Sequence, residues 1–333
     1  MFTFIKVFKN SQNYKIFKAV FMLIVTVLAI TACHSNTLQL KHNQISLTDA
    51  RSLIETQIVT HALGKAKIPV KPQRTIVLHD MLILDSVLAL GVKPVGVTYW
   101  PLAGERFRGI PKDLVANIPE VGSISQPSLE KIVSLKPDLI LGTQYQKNYY
   151  RLLSAIAPTV LIDIHKMDDF KEMLQYISQI LGKRDYAEVI LTQYQQRIQQ
   201  LQQQLRKNLK TITISVVALA GQNIYTYSPD STVDGQIFRD IGLRRPLIQE
   251  NQKEGSLLSS IEVLPEHDAD VLFVIADWTK ASPEPLYFLK KPIWSQLKAV
   301  QNNQVYEVNW NVGGLLGANR IIDDLFKYLV NGA

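Results

Sequence analysis

The chain has 333 residues, 47% of them hydrophobic and 20% charged, with a formal net charge of +7 at pH 7. Its one cysteine, Cys33, excludes an internal disulfide framework and a thiolate metal site in the folded part, so stability has to come from packing alone. About 300 residues suffice for that, as two domains.

Lys6, Lys9, Lys15 and Lys18 and no acidic residue occupy positions 1–18, and an apolar run follows over 19–32. A charged stretch followed by an apolar one is the pattern of an export signal. The apolar run is shorter than the roughly 20 residues that cross a bilayer. It stops at Ile30-Thr31-Ala32-Cys33, which resembles a bacterial lipobox. Residues 1–32 are therefore expected to be a lipoprotein signal peptide. Acylation of Cys33 would then hold the mature chain on a membrane surface, since a lipid chain contributes about 0.8 kcal/mol per buried methylene. Removing the four lysines leaves 32 basic against 29 acidic residues, a balance that does not call for nucleic acid.

Residues 33–73 are polar and weakly patterned, and Pro69 and Pro72 deny regular backbone pairing near their end, so a lipidated tether and an extended entry are expected there. From residue 74, short apolar runs alternate with helical periodicity at 75–78, 81–90, 94–99, 129–135, 138–142, 149–156 and 160–164. Strand–helix alternation with nearly continuous apolar strands means a parallel sheet covered on both faces. The first lobe is placed at 74–166. A second α/β lobe, at 209–333, is read from 211–219, 224–227, 234–241, 260–264, 271–275, 293–300, 305–308 and 319–330.

Between the lobes, 167–208 reads as a helical linker. One helix covers 167–181, Gly182 punctuates it, and 184–207 continues with Ile190, Tyr194, Ile198, Leu201 and Leu205 at steps of three and four. At 1.5 Å per residue the second segment is a rod on the order of 36 Å. Its other side is rich in glutamine, from Gln193 to Gln204. Barely two heptads of seam are too short for a coiled coil, so the rod is read as a brace between lobes.

Residues 128–141 align without gaps to 260–273, so both lobes repeat one short helix, turn and buried strand. In each copy a glutamate, Glu130 or Glu262, follows Ser-Leu or Ser-Ile in the first turn, where the helix dipole favours an anion. Singly, each reads as a solvated charge. As a pair they could grip two basic pockets on a two-subunit partner.

Further stretches in order are Lys71-Pro72-Gln73-Arg74-Thr75-Ile76-Val77, Leu88-Ala89-Leu90-Gly91-Val92-Lys93-Pro94-Val95-Gly96-Val97, Leu135-Lys136-Pro137-Asp138-Leu139-Ile140, Ala269-Asp270-Val271-Leu272-Phe273 and Asn319-Arg320-Ile321-Ile322-Asp323-Asp324-Leu325. In this order and spacing, nearly all of the mature chain resembles the periplasmic binding proteins of siderophore, haem and cobalamin importers. The resemblance implies two doubly wound α/β lobes joined by a single long helix (class III), a ligand cleft between them and a monomer at the periplasmic face of a bacterial membrane. It also implies that Glu130 and Glu262 dock into arginine pockets on the two permease subunits of an ABC importer. The transported ligand would be a ferric siderophore, with no permanently bound cofactor.

In open α/β sheets, ligands bind beyond the carboxyl ends of the strands. The candidates there are His79, Tyr99, Trp100, Thr143, Gln144, Tyr145, residues 225–228 with Tyr227 preferred, Trp278 and Trp310. Of Tyr225 and Tyr227, one is expected to face the cleft. Aromatic rings with a polar handle suit a large amphipathic chelate, and Arg106 and Arg108 would meet its anionic oxygens bidentately. Arg239, Arg244, Arg245 and Arg320 read as surface or helix-end charges.

The six histidines, His34, His42, His61, His79, His165 and His267, show no metal-ligand spacing, so iron is expected only through its chelate. His79 as an axial haem ligand keeps haem open as an alternative, with cobalamin, and so does a ligand-sensing lobe for a membrane receptor. No nucleophile elbow, phosphate loop or dinucleotide fingerprint occurs. Gly313-Gly314-Leu315-Leu316-Gly317 precedes the last helix without a dinucleotide-type unit around it. An enzyme is not expected.

Overall fold

The structure is a computed structural model that describes residues 55–101, 106, 107, 109–207, 209–220, 223–253, 255–275 and 291–332. The first ordered element is a hairpin, β1 (Thr56–His61) and β2 (Gly64–Pro69), in antiparallel register from Thr56↔Pro69 to His61↔Gly64. The tether and extended entry expected for 33–73 give way to strands here. Alternation explains it: Val59 and Ile68 turn inward at 9% and 0% exposure, while Ile58 faces out. The hairpin is fastened by the Ala62 amide to the Leu161 carbonyl at 2.8 Å and by the Tyr176 hydroxyl to the Thr60 carbonyl at 2.7 Å.

The N-terminal sheet comprises β3 (Thr75–Val77), β4 (Gly96–Tyr99), β5 (Glu120–Ser123), β6 (Leu139–Thr143) and β7 (Thr159–Ile162), in the order β5-β4-β3-β6-β7. Every pair is parallel. Its strands are apolar throughout because both faces are covered. Val77, Leu139 and Leu141 join one apolar cluster, and Ile76, Leu78 and Ile140 another. Helices α1 (Leu82–Ala89), α2 (Lys112–Val115), α3 (Leu129–Ser134) and α4 (Tyr150–Ile156) connect them.

The C-terminal sheet has the same spatial order, β10-β9-β8-β11-β12. Its strands are β8 (Ile214–Ala220), β9 (Asn223–Tyr227), β10 (Ser256–Ser260), β11 (Val271–Ile275) and β12 (Val305–Val308). β8, β11 and β12 are parallel, but β9 and β10 run antiparallel. Two residues separate β8 from β9, too few for a parallel crossover. Helices α7 (Val233–Ile241), α8 (Leu247–Glu250), α9 (Pro292–Ser295), α10 (Lys298–Gln301) and α11 (Leu315–Leu325) complete this half.

The repeated segments fall in separate sheets, as α3–β6 and as a 3-10 turn (Ile261–His267) followed by β11. Each repeat clamps the entry of its neighbouring central strand. Asp138 accepts the amides of Gln73 and Arg74 at 2.8 and 2.9 Å, and Asp270 accepts the amide and hydroxyl of Thr213 at 2.7 and 2.8 Å.

Between the sheets run α5 (Phe170–Ile180), capped by Asp169, and α6 (Arg184–Leu205), 22 residues or about 33 Å long. Gly182 joins them at φ +65, where an added Cβ would lie 2.7 Å from the Val70 carbonyl oxygen. Tyr194, Ile198, Leu201 and Leu205 are buried on α6. The glutamines face outward except Gln202, which donates to the carbonyls of Asp240 and Ile241. The same apolar cluster holds Val77 and Leu141 of one sheet and Ile214 and Phe273 of the other, with α5, α6 and α11 between. The brace is therefore a shared core rather than a rod alone.

Candidate functional site

Beyond the carboxyl ends of β3, β4 and β6 the chain places His79, Trp100 and Tyr145, and opposite them stand Tyr227, residues 231–234 and Trp310–Gly313. Together they enclose a cavity of about 330 Å³ between the two sheets. That volume lies at the lower end of the range for small-molecule pockets, roughly 300–1,000 Å³.

His79 is 5% exposed and points its Nδ1 at the first turn of α1, accepting the Met81 and Leu82 amides at 3.4 and 3.2 Å. A neutral ring that accepts at Nδ1 carries its proton on Nε2. Nε2 is then a donor without a free lone pair, which argues against an axial bond from His79 to haem iron.

Trp100 is positioned by its backbone amide, which donates to Asp80 Oδ2 at 2.9 Å. Its indole Nε1 and the side-chain Nδ2 of Asn311 are buried without an acceptor among the described residues. Two cavity-wall residues therefore carry unused donors. The Trp310 indole instead donates to Asp324 Oδ2 at 2.8 Å, and its ring lies 4.4 Å from that of Phe273. Trp310 is both wall and core.

Thr143 caps the turn after β6 and is fully buried, and Gln144 Oε1 accepts the Ile164 amide at 3.1 Å. Of that candidate trio only Tyr145 reaches the cavity. Tyr225 and Tyr227 stack at 6.4 Å with rings 18° apart, so they share a face; two residues apart on a strand, they have to. Only Tyr227 lines the cavity. Because β9 is antiparallel to β8, Tyr227 contributes from the sheet face, not from the carboxyl edge.

Several expectations are corrected. Arg106 lies outside the cavity wall, ion-paired with Glu120, its guanidinium 3.9 Å above the Tyr99 ring. Tyr99 is outside the wall for the same reason, its face being covered. Arg245 is no surface charge: it is buried, 2.6 Å from Asp234 of the cavity wall, and stacked over Phe238. Arg239 pairs with Asp230 and Asp169, and Arg244 donates to the Lys210 carbonyl. Arg108, Trp278 and Cys33 lie outside the described residues. Among the described wall residues there is no unpaired Lys or Arg.

Phe170, Met81, Leu82, Ile275 and Asn311 are wall residues that sequence reasoning passed over. Extending the strand-end rule by one residue would have found Asn311, and Phe170 could have been read as the first residue after the Asp169 cap. Among the described residues no group of acidic, histidine or cysteine side chains is arranged to hold a metal ion, and no helix is long and apolar enough to cross a membrane.

Glu130 and Glu262 are exposed, one in each copy of the repeat, with Ser128 and Ser260 as the caps. They lie outside the cavity.

Residues 76–310, covering both sheets and the cavity, match the family model described as periplasmic binding protein. The chain belongs to that family. This periplasmic binding protein is 33% identical over 267 residues to the achromobactin-binding periplasmic protein of Dickeya dadantii, covering 77% of this chain and 86% of that one. It is 31% identical to the probable siderophore-binding lipoprotein YfiY of Bacillus subtilis, covering 93% and 97%. Among solved structures it resembles Staphylococcus aureus SirA complexed with staphyloferrin B, with a TM-score of 0.68 and 29% identity over 82% of this chain and 98% of SirA. The fold is the two-lobed α/β architecture with a long connecting helix, and the protein is a binding protein, not an enzyme.

Proposed function

We propose that this periplasmic binding protein captures a ferric siderophore in the cavity between its sheets and delivers it to an ABC importer. One observation carries the reading: the cavity is walled by Trp100, Tyr145, Tyr227 and Trp310 and carries the unused N–H donors of Trp100 and Asn311. Flat apolar walls with inward donors suit a ligand whose rim is oxygen acceptors and whose body is apolar. An iron chelate meets that description, and iron then arrives with its own ligands. The likeness to an achromobactin-binding protein and to SirA with staphyloferrin B supports the same class.

Delivery is assigned to Glu130 and Glu262. Their carboxylates face solvent at equivalent places of the two halves, the arrangement that two basic pockets on a permease dimer would read. Cys33 carries the lipid, placing the chain on the outer face of a membrane within reach of that permease. The test is a Glu130→Arg/Glu262→Arg variant assayed for uptake of the ferric chelate and for its binding. Like charge at both contacts should cut uptake roughly tenfold or more while affinity for the chelate stays unchanged. Undiminished uptake would refute the docking assignment, and lost binding would refute the separation of the two surfaces.

A further inference from the structure

The five-residue stretch Gly313–Gly317, which resembles no nucleotide loop in context, has a different use. α11 begins with Gly314, which has no side chain to cap it. The first amides of a helix are orphan donors that an N-cap oxygen usually satisfies. Here the acceptor comes from the other half of the molecule. Asp85 of α1, 1% exposed, accepts the Leu316 amide on Oδ1 at 3.0 Å and the Gly317 amide on Oδ2 at 3.1 Å, across 231 and 232 residues of chain. The positive charge of Arg320, one turn further along α11, also acts favourably on the carboxylate.

The two glycines make the approach possible. A Cβ on Gly314 would sit 2.4 Å from Asp85 Oδ1, and one on Gly313 would sit 2.7 Å from Met81 Cγ and 2.9 Å from the Leu82 amide nitrogen. Met81, Leu82 and Gly313 are themselves cavity-wall residues. Asp85 follows Leu82 by three residues, so it lies about one helical turn behind the wall on the same side of α1.

We propose that Asp85 is the positioning residue that sets the separation of the two lobes, by capping α11 of the C-terminal half from α1 of the N-terminal half at the floor of the cavity. The carboxylate acts on the ligand only through the spacing of the walls. Its function does not depend on which chelate binds, so it stands or falls separately from the siderophore reading.

The test is the distance between spin labels at the exposed positions Lys147→Cys and Gln296→Cys, one in each half, in a chain with Cys33→Ser. With Asp85 intact the distance distribution should be narrow. Asp85→Ala should broaden it and shift it to longer distances, and Gly314→Ala, which drives a methyl into the carboxylate, should do the same with Asp85 still present. Asp85→Asn retains one acceptor oxygen and should restore a narrow distribution near that of the parent. If Asp85→Ala fails to fold, the Gly314→Ala and Asp85→Asn pair carries the decision. A distribution unchanged in Gly314→Ala, or a loss of α11 amide protection with no change of distance, would overturn the proposal and reduce Asp85 to a local cap.

Discussion

Asp85 is also the residue whose chemistry should be visible in bulk stability. Burial pushes its carboxyl up to about 6 from an ordinary 3.8, against the opposing pull of the Leu316 and Gly317 amides and Arg320. A carboxyl whose folded pKa is raised binds protons more readily when folded. Its contribution to stability is thus full below about pH 4 and is lost as pH rises through 6. Across that window the loss is on the order of 3 kcal/mol. Chemical denaturation at intervals from pH 4 to 7 should show this falling term in the parent chain and not in Asp85→Asn; parallel profiles would contradict it. Asp270 shows the opposite case: burial pushes its carboxyl up, but Lys298 and Thr213 outweigh it and hold it below the usual carboxylate value. At this scale the sequence was partly legible. His79, Trp100, Tyr145, Tyr227 and Trp310 follow from reading strand ends. The fates of Arg106 and Arg245 do not, because their partners Glu120 and Asp234 are 14 and 11 residues away and only the fold brings them within reach.

Among the elements, α6 was the most legible. Its apolar positions at steps of three and four are the buried ones, and its glutamines are the exposed ones, as a helix with one covered face requires. Leu201 is fully buried and joins the cluster shared by both halves. Leu201→Ala should therefore cost about 2–5 kcal/mol, and Gln200→Ala on the solvent side no more than about 0.5 kcal/mol. Equal costs in thermal or denaturant unfolding would mean that the face is assigned wrongly. The β1–β2 hairpin was not legible. Its turn, Ala62-Leu63, lacks the glycine or asparagine pair that announces a two-residue turn, and only Val59 and Ile68 per strand are firmly buried. The reversal of β9 was hidden for a related reason: apolar alternation gives a strand but not its direction.

For the whole molecule, the repeat between 128–141 and 260–273 carried the most information, since it announced two lobes of one design before any coordinate. The structure gives both sheets the same strand order and the same aspartate clamp at the entry of the central strand. It adds what no repeat can show, a core continuous through both halves and a carboxylate tying one to the other. Both features resist independent movement of the lobes, so closure on a ligand should be of small amplitude, as shear of packed helices rather than a wide hinge. The cavity walls carry Trp100 and Trp310, while Trp294 sits in a separate apolar cluster. The most direct measurement is a tryptophan-fluorescence titration of the parent chain and of Trp100→Phe with ferric hydroxamate, ferric citrate-type and ferric catecholate chelates, haemin and cobalamin. Saturable quenching by at least one iron chelate, much reduced in Trp100→Phe, is the predicted result. Saturation by haemin or cobalamin with no response to any iron chelate, or quenching that Trp100→Phe leaves intact, would contradict the account.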